Sequence, residues 1–101
     1  ASSEAVAVNV QAANAEIEIR AVRRTWMRIE DNQGKVLFSS IIREGEGFKF
    51  GEADSYTLAT RDAGALEYRV NDQLVGNVGR RGQILTARKL DRRSILSLAA
   101  Q

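Results

Sequence analysis

The stretch from Thr25 to Ile42 constrains the fold more than any other part of this chain. Thr25, Met27 and Ile29 alternate with Trp26, Arg28 and Glu30, and a period of two is the signature of a strand with one buried face. Asp31-Asn32-Gln33-Gly34 follows, supplying residues that tolerate or need positive φ, so a tight hairpin with Gly34 in the left-handed region is predicted. The return strand, Val36 to Ile42, is so apolar that the pattern predicts a cover over it from elsewhere in the chain.

The remaining segments are short and strand-like. Ile17, Ile19 and Ala21 alternate with Glu16, Glu18 and Arg20, which predicts one wet face. Phe48-Lys49-Phe50 places both rings on one side. Tyr56 and Leu58 share a face in Ser55 to Thr60, and Leu66, Tyr68 and Val70 are expected inside, with Glu67 and Arg69 outside. Asn71-Asp72 is a two-residue turn leading into Gln73-Leu74-Val75, and Ile84 to Leu90 is the last strand. Asp91 is placed to cap a short helical turn through Leu98, with Ile95, Leu96 and Leu98 as its apolar side. Turn signals every 8–12 residues among seven or eight short strands predict an all-β, single-domain sandwich, mostly antiparallel. The sandwich is expected over residues 16–93. Residues 1–15, with a Val6-Val8-Val10 alternation, form a linker or an irregular edge strand, and residues 94–101 form a C-terminal tail with the helical turn.

Composition removes whole classes of chemistry. The 101 residues contain no cysteine and no histidine, so a disulfide framework, a thiolate metal site and a Ser-His catalytic pair are all unavailable. The carboxylates Glu44, Glu46, Glu52 and Asp54 sit in turns or on outward faces, where they stay solvated, and no Asp-x-Asp-x-Asp-Gly run occurs. The glycines of Gly45-Glu46-Gly47 and Gly79-Arg80-Arg81-Gly82 lack the strand–turn–helix setting of a phosphate loop. A non-enzymatic domain without cofactor or metal is therefore expected. No apolar run approaches the roughly 20 residues that cross a bilayer as a helix.

The net charge of +2 conceals an asymmetry: residues 1–75 sum to −3 and residues 76–101 to +5. Arg80, Arg81 and Arg88 belong to that basic end, which suits an acidic partner or a solvated surface. No aromatic residue lies between Gly76 and Gln101, so a base-stacking platform is missing and nucleic acid is not expected as a partner. Trp26 shares its strand face with Arg28 and Glu30. It is either a partner anchor or sugar-stacking platform on that face, or it packs beneath the Ile17–Ala21 strand or at the sandwich end. The candidate contact residues are thus Trp26, Arg28, Glu30, Arg80, Arg81 and Arg88.

Several of these segments occur together, and in order, in one known family. Ile17-Glu18-Ile19-Arg20-Ala21 is followed by Thr25-Trp26-Met27-Arg28-Ile29-Glu30-Asp31 and by Gly34-Lys35-Val36-Leu37-Phe38-Ser39. Arg43-Glu44-Gly45-Glu46, Thr60-Arg61-Asp62-Ala63-Gly64-Ala65-Leu66-Glu67-Tyr68, Val70-Asn71-Asp72 and Arg88-Lys89-Leu90-Asp91-Arg92-Arg93 continue the series. From Glu16 to Ser97 the chain resembles the C-terminal domain of RodZ-type bacterial cell-shape proteins. It departs from that pattern in having Arg61-Asp62-Ala63-Gly64 where a Gly-Asn pair is common, and in having no proline.

The resemblance implies the periplasmic ectodomain of a single-pass inner-membrane protein, with a cytoplasmic helix-turn-helix domain that contacts the actin-like MreB filament. It implies no catalytic residue. The partners it implies are proteins of the wall-elongation machinery, with peptidoglycan as the alternative and a passive spacer as the third reading. Contact with the membrane would run only through an anchor outside these residues.

Overall fold

The computed structural model describes residues 15–51 and 55–99. Residues 1–14, where a linker or edge strand is expected, lie outside the described residues, as do Glu52 and Asp54. The elements are β1 (Ile17–Ala21), β2 (Thr25–Asp31), β3 (Val36–Ile42), β4 (Gly47–Lys49), β5 (Ser55–Thr60), a 3-10 turn (Ala63–Ala65), β6 (Leu66–Val70), β7 (Gln73–Asn77), β8 (Leu85–Asp91) and α1 (Arg92–Ala99). Two four-stranded sheets result, in the orders β4-β1-β6-β7 and β3-β2-β5-β8, with every pairing antiparallel. The architecture is the all-β sandwich that the alternation predicts.

The inner faces are those the sequence pattern assigns. Ile17, Ile19, Met27, Ile29, Leu58 and Leu66 are fully excluded from water and belong to one cluster drawn from both sheets. Aromatic rings join the sheets at one side: Phe38 on β3 meets Phe48 on β4 at 6.2 Å between centroids, and Phe50 meets Tyr56 on β5 at 4.5 Å. Tyr56, Tyr68 and Phe50 are buried, while Phe38 and Phe48 pack against the cluster half-buried.

Turn chemistry sets the registers. In the β2–β3 hairpin the Asp31 carboxylate accepts the N–H groups of Gln33 and Lys35, both at 2.9 Å, and Gly34 takes φ 85°. Asn71 and Asp72 both have positive φ, 51° and 68°, as a two-residue turn of the primed type requires. Such turns twist in the sense of the strands they join, here β6 and β7. The Asp91 carboxylate accepts the N–H of Arg93 at the start of α1. The segment expected as a tail is thus a helix of two turns whose Ile95 is buried in the core.

Two expectations need correction. Among the described residues nothing covers Val36–Ile42: β3 is the edge of its sheet, and Val36, Leu37 and Ile41 are each at least 40% exposed. Only Ile42 on this strand is buried, because the other apolar positions either face outward or lie at the rim of the sandwich. Conversely, Glu67 points outward yet is only 8% exposed, as is Glu18. Their neighbours cover them. Glu18 and Glu67 lie beside Arg20 and Arg69 across the β1–β6 ladder, with ion pairs Arg20–Glu18 and Arg69–Glu67 at 2.9 Å and Arg20–Asp72 at 3.0 Å.

Gly64 marks a point of close approach. A Cβ there would lie 2.4 Å from the backbone nitrogen of Arg81 and 2.7 Å from the carbonyl carbon of Arg80. Backbone cannot rotate away as a side chain does, so the 3-10 turn and the Arg80–Arg81 loop would have to separate. Gly76, in β7, has open space around the same position. Gly64→Ala is expected to destabilise the domain by about 1–3 kcal/mol, and Gly76→Ala to change it by less than about 1 kcal/mol. Urea unfolding of the two variants measures the difference.

Candidate interaction face

β2 turns Trp26, Arg28 and Glu30 outward because its alternate residues Thr25, Met27 and Ile29 fill the inner face. Its neighbour β5 sets Ala59 opposite Arg28 and Thr57 opposite Glu30, with its own Tyr56 and Leu58 buried. On the far side of β5, the approach to β8 contributes Ile84 and Thr86. These residues, together with Arg61, line a shallow open groove of about 290 Å³ across the outer face of the second sheet. Trp26 is half-buried in its wall, and Ile84 is 68% exposed.

The groove is chemically mixed. Trp26 and Ile84 offer apolar surface, Arg28 and Arg61 offer guanidinium groups, and Thr57 and Thr86 offer hydroxyls. Arg28 is held at 3.0 Å by Glu30, but both side chains remain wet, so this pair is worth under about 1 kcal/mol and can yield to a partner's carboxylate. The Trp26 backbone is more firmly fixed. The hydroxyl of Thr60, itself buried, donates to the Trp26 carbonyl at 2.7 Å. Such a face suits an apolar side chain flanked by acids or hydroxyls. Among the described residues no cluster of acidic side chains could hold a metal ion.

The six candidate residues divide. Trp26, Arg28 and Glu30 come together as one wall of the groove. Arg80 and Arg81 are exposed in the loop that docks on the 3-10 turn, and they do not line the groove. Arg88 is exposed on β8 but lies near the other sheet. Burial pushes the Tyr68 phenol above its ordinary pKa, and the nearby charge of Arg88 pulls it the other way. The groove residues absent from the sequence-based set are Thr57, Ala59, Thr60, Arg61, Ile84, Leu85 and Thr86. Thr57 and Ala59 were legible as the outward positions of the Ser55–Thr60 alternation. Their placement beside Trp26 depends on the β2–β5 pairing, which no local pattern carries.

Comparison with known proteins adds one decisive match. A family model for the RodZ C-terminal domain covers residues 18–88, from within β1 to within β8. The chain belongs to this family. Nothing matches among curated proteins or among solved structures. In this RodZ C-terminal domain the match takes in residues from all eight strands and the whole groove, while α1 lies beyond it. No helix among the described residues is long and apolar enough to cross a membrane.

The Arg80–Arg81 loop owes its position to Asp62. The Asp62 carboxylate accepts the N–H groups of Gly82 at 2.8 Å and Gly64 at 3.1 Å, and pairs with Arg23 at 3.1 Å. The Gly82 N–H holds this carboxyl below its ordinary value of 3.8; desolvation opposes the shift and Arg23 reinforces it. A carboxylate whose pKa is lower when folded stabilises the fold above its unfolded pKa, and that contribution fades as pH falls through the folded value. At neutral pH, Asp62→Ala should cost about 1 kcal/mol, as loss of a capping carboxylate does. The gap between wild type and variant should close as pH falls below about 4, measured by urea unfolding at a series of pH values.

Proposed function

We propose that this RodZ C-terminal domain is a non-enzymatic interaction module in the periplasm. In this reading it is the ectodomain of a single-pass inner-membrane protein that links the MreB cytoskeleton to peptidoglycan synthesis and so maintains rod shape. The family match over residues 18–88 is the observation that carries this reading. A chain without histidine or cysteine, with carboxylates engaged in turns and in ion pairs with arginine, is consistent with binding in place of catalysis.

The groove around Trp26 is the proposed contact face for proteins of the wall-elongation machinery. A half-buried tryptophan beside a weakly paired arginine has the composition of an interface anchor. Peptidoglycan is the second reading. It is favoured by the same residue, since an indole flanked by hydroxyls and guanidinium groups also suits a sugar ring with acidic stems.

Trp26→Ala tests both readings. The ring lies on the outer face, so unfolding stability should fall by no more than about 2 kcal/mol. Binding should weaken about tenfold or more, the scale of an interfacial tryptophan. Amide-shift titrations of the labelled domain against elongation-protein ectodomains, and separately against soluble muropeptides, decide between the partners. Shifts at Trp26, Arg28 and Thr57 with a protein support the adaptor reading, and the same shifts with glycan alone support the wall-binding one. No shifts with either would leave the domain a spacer.

A further inference from the structure

Among the described residues four strands lie at sheet edges, and they are unequal. β4 has three residues, and β7 has five with a glycine among them. β8 carries Arg88 and Lys89, charges that discourage edge-to-edge pairing, and α1 packs against both β7 and β8. β3 has no covering helix among the described residues, and its single interruption is a bulge at Leu37, which the pairing skips where Ile29 lies opposite Phe38 and Glu30 opposite Val36. Its seven residues, Val36-Leu37-Phe38-Ser39-Ser40-Ile41-Ile42, include no charge, glycine or proline, and among the described residues it pairs only with β2. The alternate N–H and C=O groups along its other side, regular from Phe38 to Ile42, therefore have no strand partner among the described residues. Ile41, opposite Trp26 of β2, stands 42% exposed, and Leu37, at the bulge between Phe38 and Val36, stands 40% exposed.

Charge at the ends of β3 selects what can pair there. Lys35 precedes the strand and Arg43 follows it, with Arg24 exposed next to Thr25, the residue opposite Ile42. Among the described residues none of these three cations is in an ion pair. If a second copy paired antiparallel about Ser39, Leu37 would meet Ile41, but Lys35 would face Arg43 at both ends. Like charges directly opposite one another destabilise a ladder. Glu44 would fall opposite Gly34, and Glu46, whose carboxylate accepts the Arg43 N–H, would fall opposite Asn32; both lie outside the strand. An extended segment with carboxylates at its ends meets complementary charge instead.

We propose that the free edge of β3 is a strand-addition site for an extended segment of another protein, apolar at alternate positions and acidic at both ends. Backbone hydrogen bonds along the regular stretch Phe38–Ile42 supply most of the contact, Ile41 and the bulged Leu37 meet the incoming side chains, and Lys35 and Arg43 set the register. This deepens the reading of the domain as an interaction module and rests on it. The edge site is distinct from the Trp26 groove, which lies toward β5 and β8.

The test uses synthetic peptides matched to the nine positions from Lys35 to Arg43, with glutamate at each end and alternating valine and threonine between. Two further versions carry backbone N-methyl groups on one or the other alternate set of amides, and a fourth has lysine at each end. Titrated into the labelled domain, the parent peptide should shift the amides of Val36–Ile42 and slow hydrogen exchange at alternate residues. One methylated version should bind like the parent and the other about tenfold or more weaker, because only one edge of the peptide forms the ladder. The lysine-ended version should bind roughly fivefold weaker. Equal binding of the two methylated versions, shifts confined to other strands, or no binding would each overturn strand addition. So would a concentration-dependent dimer with β3 protected, which would assign the edge to a second copy. The partner titrations at the Trp26 face are read separately, so loss of the edge site leaves the interaction-module reading to its own experiment.

Discussion

The domain depends on parity. Because side chains alternate strictly along a strand, burying Ile17 and Ile19 on β1 or Met27 and Ile29 on β2 fixes which residues face outward. Each of these side chains, fully removed from water, contributes about 1.5–3 kcal/mol. A slip of one residue would forfeit that burial and place Arg28 or Glu18 in the core. The turns defend the register against such a slip. The Asp31 carboxylate holds two N–H groups of its turn, and Asn71 and Asp72 adopt positive φ to join β6 to β7. Position on the outer faces is therefore a consequence of packing on the inner ones.

Those outer faces are not equivalent. On the first sheet Glu18, Arg20, Glu67, Arg69 and Asp72 bind one another, and their mutual cover leaves both glutamates nearly inaccessible. Glu18 also occupies the space beside Gly47, where a Cβ would fall 2.1 Å from its carboxylate oxygen. A partner approaching here would have to break pairs already made. The second sheet carries one loose ion pair, Arg28–Glu30, beside Trp26 and open hydroxyls. Its polar groups retain spare capacity, and among the described residues nothing covers its apolar surface. Recognition is cheaper on that face.

How much of this was legible varies with the range of the interaction. Period-two alternation and turn residues are local, so the strands, the Gly34 hairpin, the Asn71-Asp72 turn and the inward set Leu66, Tyr68 and Val70 could be read from the chain. The outward position of Trp26 followed from the same parity. Its companions across the groove did not, because pairing of β2 with β5 joins residues some thirty positions apart. The cover expected over Val36–Ile42 is not found among the described residues, for a related reason. Apolar composition records a strand's affinity for a neighbour, not whether the chain supplies one on each side. Glu67 was misjudged through its surroundings: alternation gives the direction of a side chain, while Arg69 beside it determines how much water reaches it.

The β7/β8 side and the β3 side of the sandwich handle the same hazard differently. On the first, α1 packs over the strands with Ile95 buried, and Arg88 and Lys89 mark β8 as a poor template for another strand. On the second, Lys35 and Arg43 stand at the two ends, and no charge interrupts the strand between them. Charges within a strand discourage every newcomer, whereas two of like sign at its ends discourage mainly a second copy of itself. An edge built in this way limits self-association without closing the ladder to others. That combination separates a selective surface from an aggregation-prone one.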